Sequence, residues 1–167
     1  SQLAIRSYRR QLGVVMQTAR LNGGSIYDVI CGGVARSEAE VWEALERAAV
    51  ADEVRAMPMQ LETLLSESGG NVSGGQGQRI AIARALITQP KVLIMDEATS
   101  ALDNTSQQAI TSTINELGIT RISIAHRLAT IQQADQIVIL ERGKPAESGS
   151  WEQLQSHGYL QRMLASH

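Results

Sequence analysis

Two carboxylates, Asp96 and Glu97, directly follow the apolar tetrad Val92-Leu-Ile-Met95. Such a tetrad reads as a short buried strand, and ligands of open α/β sheets bind outside the carboxyl ends of the strands. An isolated Asp-Glu pair more often opens a solvated loop. Here the trailing Ala-Thr-Ser-Ala-Leu-Asp103 shifts the balance toward chemistry. Adjacent carboxylates at a strand end suit Mg²⁺-assisted phosphoryl transfer. One holds the metal, directly or through water, and the other orients and deprotonates an attacking water. His126 closes the run Arg121-Ile-Ser-Ile-Ala125 and could donate a hydrogen bond to a phosphate, although a lone His is more often structural. Gln17 closes Leu12-Gly-Val-Val-Met16 and, being neutral and both donor and acceptor, could touch a metal or a water.

A fourth feature is Ser73-Gly-Gly-Gln76, set before the apolar, alanine-rich run to Leu86. Ser73 with Gln76 three residues later is a capping box. Gly74 and Gly75 also leave a bare helix N-terminus, whose N–H groups and partial positive charge suit an anion. The two uses compete for the same donors, so Ser73 is expected to switch from cap to ligand when phosphate arrives.

The elements that must position these residues follow from the pattern around them. Ser25 with Asp28, and Ser37 with Glu40, read as helix starts, and residues 25 to about 65 have a helical texture. Pro58 breaks a helix near Met57, and the Ser73 helix stops before Pro90. Asp103 caps a helix reaching Leu117, with Gly118 as its C′ residue. Arg121–Ala125 and Gln136–Leu140 read as further strands, Arg142-Gly143-Lys144 as a turn, and Ser150 with Gln153 as the start of the closing helices. Strand, helix, strand, helix, strand implies a parallel sheet with crossover helices. Residues 25–90 read as an inserted helical lobe.

Composition narrows the partners. The 167 residues carry 43% apolar and 19% charged side chains, a globular balance, and with no Phe the core must be built from Ile, Leu, Val, Ala and Met. Net charge is −2 without a basic block, which argues against a nucleic-acid surface. Cys31 is the single cysteine, so there is no disulfide framework or CxxC metal site, and a reducing compartment is expected. No apolar run approaches a membrane span, and no signal-peptide pattern is present.

Taken in this order, the four rim elements resemble the ATP-binding-cassette (ABC) ATPases. "VSGGQGQR" is similar to the family's signature motif, "VLIMDEATSALD" to its Walker B strand and D-loop, His126 to its switch histidine and Gln17 to its Q-loop glutamine. The resemblance covers essentially the whole chain. It implies an α/β fold: a P-loop NTPase-like parallel sheet, here incomplete, with a RecA-like core portion in residues 1–24 and 91–167 and an α-helical subdomain in 25–90 ending in the signature helix. It also implies roles. Asp96 and Gln17 would attend Mg²⁺, Glu97 would be the general base, and His126 would contact the γ-phosphate. Ser73, Gly74, Gly75 and Gln76 would bind ATP held by an opposing nucleotide-binding domain in a head-to-tail dimer, and Asp103 would reach across that dimer. The other implied partner is a transmembrane domain, which would place the cassette on the cytoplasmic face of a bacterial inner membrane. Glu67 and "SIAHRL" resemble the exporter form, and "PMQLETLLSESGGNVSGGQ" most resembles exporters of bacteriocin-like or lantibiotic-like peptides.

Departures from the family pattern matter as much. No GxxxxGK[ST] occurs, and neither Lys91 nor Lys144 follows such a loop. The expectation is a C-terminal portion of a cassette, inactive alone, whose strands ending at Asp96 and His126 lack a neighbour and which therefore self-associates, exchanges elements or distorts at the gap. Gly77 stands where Arg or Lys is frequent, removing a positive charge near the phosphate-facing turn, and Val72 replaces the usual Leu. The competing readings are a soluble ABC ATPase acting on DNA or ribosomes, and a non-catalytic cassette completing a partner's site. The compact interval from Thr18 to Val72 leaves no room for the long coiled coil of DNA-repair relatives, and the presence of both Glu97 and His126 argues against a dead site.

Overall fold

The computed structural model describes residues 8–16, 21, 23–66, 71–96, 102–125, 128–155 and 160. They fall into two units divided after Ile124. The first unit opens with strand β1 (Leu12–Val15). A two-residue strand, β2 (Gly24–Ser25), then leads into helices α1 (Ile26–Cys31), α2 (Glu38–Arg47) and α3 (Ala51–Arg55), a 3₁₀ turn at Gln60–Glu62, and strand β3 (Leu64–Leu65). Both expected capping boxes form. Ser25 and Asp28 close the start of α1, and Ser37 and Glu40 the start of α2. The helical texture hides a clip: β2 and β3 pair antiparallel, Gly24 opposite Leu65, and the Ile26 N–H donates to Thr63 C=O at 3.0 Å. Two-residue strands carry too little pattern to be read in a sequence.

Helix α4 (Gly74–Leu86) follows, and it is the axis of the unit. Every residue from Gly77 to Ala83, with Ala85 and Leu86, is buried. A helix buried on all sides must be small and apolar nearly throughout, which explains the alanines. It packs on α1, α2 and β1.

Strand β4 (Val92–Asp96), helix α5 (Asn104–Glu116) and strand β5 (Thr120–Ile124) complete the first unit. The sheet order is β1-β4-β5, all parallel, with Val14, Ile94 and Ile122 in register. Side chains alternate across a strand. Leu93 and Met95 therefore enter the core with Val15, while Val14, Ile122 and Ile124 are about half exposed on the other face. The expected loss of a neighbour does not apply to the Asp96 strand, which is paired on both sides. Among the described residues β1 and β5 are the edge strands of this sheet, each paired on its inner side only. Gly13 is required by packing: a Cβ there would lie 2.9 Å from Leu93 Cδ1 and 3.1 Å from Pro90 Cγ. Gly118 follows α5 with φ of +62°, in the left-handed region expected of a C′ glycine.

The second unit contains α6 (Leu128–Gln132), strands β6 (Ile137–Glu141) and β7 (Lys144–Gly149), and α7 (Trp151–Leu154). β6 does not join the parallel sheet among the described residues; it pairs antiparallel with β7. The expected turn is present, with Arg142 and Gly143 both at positive φ (+49° and +77°), the geometry of a two-residue hairpin loop. β7 escapes a pattern search because Lys-Pro-Ala-Glu-Ser-Gly lacks apolar alternation. Ser150 and Gln153 form the expected capping box on α7. Leu154, Ile139 and Leu160 make a small core.

Candidate functional site

Parallel strands deliver their carboxyl ends to one edge. β1, β4 and β5 do so at Val15, Asp96 and Ile124. Asp96 is half-buried there, opposite Ile124 in the register. Gln17, Glu97, His126 and the exporter-like Glu67 lie outside the described residues. No group of three or more His, Cys, Asp or Glu side chains converges as a metal site among the described residues. Asp96, the strand-end carboxylate among the described residues, fits Mg²⁺, which takes one or two protein carboxylates and fills its shell with water and substrate phosphates.

The tip of α4 is built as the sequence indicates. Ser73 is extended (φ −67°, ψ 157°), its Oγ accepts the Gln76 N–H at 3.1 Å, and Gln76 Oε1 accepts the Ser73 N–H at 2.9 Å. Ser73 and Gly74 are exposed, Gly75 and Gln76 half-buried. The expected competition between cap and anion is milder than the sequence implies. The box uses the Ser73 and Gln76 amides and a lone pair of the Ser73 hydroxyl. It leaves the hydroxyl proton for another acceptor. The Gly74 and Gly75 amides stand in the first turn, ahead of any intrahelical carbonyl. Gly77 does not face this opening. A Cβ there would meet Leu21 Cδ1 at 3.6 Å and Val72 Cγ2 at 3.9 Å, so the position points toward the unit's interior.

Behind the tip lies a polar cluster. Gln76 Nε2 donates to Glu53 Oε2 at 2.8 Å, so both ends of the Gln76 amide are fixed. Glu53 Oε1 lies 2.7 Å from Arg79 Nη1, an ion pair whose arginine side chain is only 10% exposed. The same Nη1 donates to Ala49 C=O at 2.8 Å and to Ser106 Oγ at 3.4 Å, and Arg79 Nε donates to Gly75 C=O at 3.3 Å. On α5, Asp103 is the N-cap: Oδ1 accepts the Ser106 N–H and Oδ2 the Ser106 hydroxyl, each at 2.8 Å. The Ser106 N–H, and after it the Ser106 hydroxyl, hold the Asp103 carboxyl below its ordinary pKa. Thus Ser73–Gln76 and Asp103, far apart in sequence, meet through Glu53, Arg79 and Ser106.

Those three connecting residues are absent from the sequence reading. Two leave a local trace. Arg79 lies three residues after Gln76, on the same helix face, and Ser106 lies three after the cap Asp103. Glu53 leaves none, since α3 brings it from another element.

The family model described as ABC transporter matches residues 1–100. The chain is 44% identical over 158 residues to the ATP-dependent lipid A-core flippase of Burkholderia orbicola, covering 93% of this chain and 27% of that protein. It is 44% identical over 153 residues to the heterocyst differentiation ATP-binding protein HepA of Nostoc sp., covering 90% and 25%. Among solved structures, that of a bacterial Atm1-family ABC exporter with ATP bound superposes with a TM-score of 0.88 at 41% identity, covering 95% of this chain and 28% of that one. The chain belongs to the ABC transporter family, and its parallel sheet and helices match the P-loop NTPase-like fold of ABC ATPases. It spans about a quarter of the length of these relatives.

Proposed function

We propose that residues 1–167 form part of the ATP-binding and ATP-hydrolysing cassette of an exporter, with RecA-like core portions in 1–24 and 91–167 and a helical subdomain in 25–90. The observation that carries this reading is the tip of α4, where a capped serine keeps its proton and two glycines bare their amides to an anion. In this reading Ser73, Gly74, Gly75 and Gln76 bind the phosphates of ATP seated on an opposing cassette, and Asp103 reaches across the same interface. At the sheet edge Glu97 takes the proton of the attacking water, His126 donates to the γ-phosphate, and Gln17 orients near the water. Asp96, with Gln17, would hold Mg²⁺, which when bound neutralises developing phosphate charge.

Transmission to a transmembrane domain follows from the same arrangement. Movement of Gln17 with the γ-phosphate shifts the segment from Thr18 to Val29 and the helices behind it as a body. No helix among the described residues is long and apolar enough to cross a membrane. In this reading a transmembrane domain supplies the spans, and the cassette sits on the cytoplasmic side. The wording of residues 58–76 supports a peptide cargo.

A chimera tests the reading: this chain replaces the homologous stretch of the Burkholderia orbicola flippase, which supplies upstream cassette and membrane segments. Phosphate release is expected from the chimera, none from residues 1–167 alone, which contain no GxxxxGK[ST]. Glu97→Gln should slow the chimera by about a hundredfold or more, the usual contribution of a general base. Turnover indifferent to that change would defeat the reading.

A further inference from the structure

Arg79 occupies an unusual position. Its guanidinium is buried on α4, yet its partners come from four places: Ala49 behind α2, Glu53 on α3, Gly75 at the tip of its own helix, and Ser106 on α5. The hydrogen-bond chain that leaves it has only one possible direction. A guanidinium can only donate, and an ionised carboxylate can only accept. Ser106 has one proton, given to Asp103 Oδ2, so its lone pair is what receives Arg79 Nη1. Polarity therefore runs from Arg79 through Ser106 to Asp103, and each bond strengthens the next. Glu53 completes the frame by holding Arg79 with one oxygen and Gln76 with the other.

We infer that Arg79 is a positioning residue that, through Ser106, fastens the Ser73–Gln76 tip and the Asp103 cap into one rigid unit, so that both groups presented to an opposing nucleotide move together. Its structural half rests on geometry alone; its functional half rests on the nucleotide reading proposed above. The Arg79–Ser106 bond is a direct side-chain link between α4 and the start of α5. Arginine suits the task because a planar fork can serve several acceptors at fixed angles, which a lysine cannot reproduce.

Hydrogen exchange on residues 1–167 tests the structural half. Ser106→Ala keeps the Arg79–Glu53 pair and removes only the relaying hydroxyl. It should speed amide exchange about fivefold, the effect of one ordinary hydrogen bond, both at residues 104–108 and at residues 77–80 on the other helix. Ser106→Thr should restore both. Acceleration confined to 104–108 overturns the relay. In the flippase chimera, Ser106→Ala should lower kcat about tenfold with KM for ATP within about twofold, because the displaced groups act on nucleotide held by the other subunit. Threonine should rescue it, and Arg79→Lys combined with Ser106→Ala should be no slower than Arg79→Lys alone. Multiplying losses, or a change confined to KM, count against the inference. A wild-type chimera without turnover sinks the nucleotide reading instead, and the exchange result then decides the relay by itself.

Discussion

At the residue scale, the cluster behind Ser73 makes electrostatic demands that the tip itself does not reveal. Arg79 is 8% exposed, and Glu53 is its one ionic partner among the described residues. Breaking a buried pair by removing one member strands the other's charge, typically at 3–5 kcal/mol. Glu53 keeps a side toward water, which moderates the penalty. Glu53→Ala is expected to cost about 2 kcal/mol, seen as a lower urea midpoint with unchanged slope. Asp103 gives a pH signature. Its carboxyl pKa is lowered in the folded chain by the Ser106 amide and hydroxyl. The stability it contributes is thus complete above its unfolded pKa of about 3.9 and is lost as pH falls through the lower folded value. Acidification below about pH 4 should therefore loosen the start of α5. Asp103→Asn, an equally good N-cap, should make amide exchange there insensitive to pH over that range once intrinsic rates are removed.

At the element scale, helix ends were the most legible part of the sequence. Ser25, Ser37, Ser73, Asp103 and Ser150 all cap where their spacing indicated, because a cap is a local contract between residues three apart. The apolar tetrads of β1 and β4 were equally plain. Features built by distant partners leave little local pattern. The β2–β3 clip and the Glu53–Arg79–Ser106 cluster exist only because other elements deliver the second half, whereas β7 is hidden by its lack of apolar alternation. The three catalytic candidates Gln17, Glu97 and His126 lie outside the described residues, so the sheet edge is defined here by Asp96 alone. One helix end is less than optimal. α2 terminates with the Val50 N–H on Leu45 C=O and the Ala49 N–H on Glu46 C=O, forcing Ala49 to φ +54°. That conformation suits glycine. Ala49→Gly should stabilise the chain by about 1 kcal/mol, measured by thermal melting. Gly77 is the converse case, a glycine inside a helix with ordinary contacts awaiting a Cβ. Gly77→Ala should add about 0.5–1 kcal/mol. Gly13→Ala should destabilise by about 1–2 kcal/mol, because Leu93 and Pro90 already fill the space.

At the scale of the whole molecule, the β1-β4-β5 sheet carries exposed apolar side chains on one face among the described residues. Val14, Ile122 and Ile124 stand 46%, 52% and 54% exposed, and Val14 and Ile122 share a register row with Ile94. An exposed apolar face of this kind drives association in water. Sedimentation of residues 1–167 should show concentration-dependent self-association. Ile122→Thr with Ile124→Thr, which keep β-branched strand formers, should reduce it. A sedimentation coefficient independent of concentration would refute this expectation.

The small ladder at Gly24 and Leu65 has a different consequence. It brings the two ends of residues 26–63 to neighbouring points, fixed by Ser25 opposite Leu64 and by the Ile26 amide on Thr63. A stretch tethered at adjacent anchor points can be swapped for another of different length without disturbing the strands outside it. Interchange at that seam is a physical route by which the stretch between the anchors could be replaced while the β2–β3 pairing keeps its place.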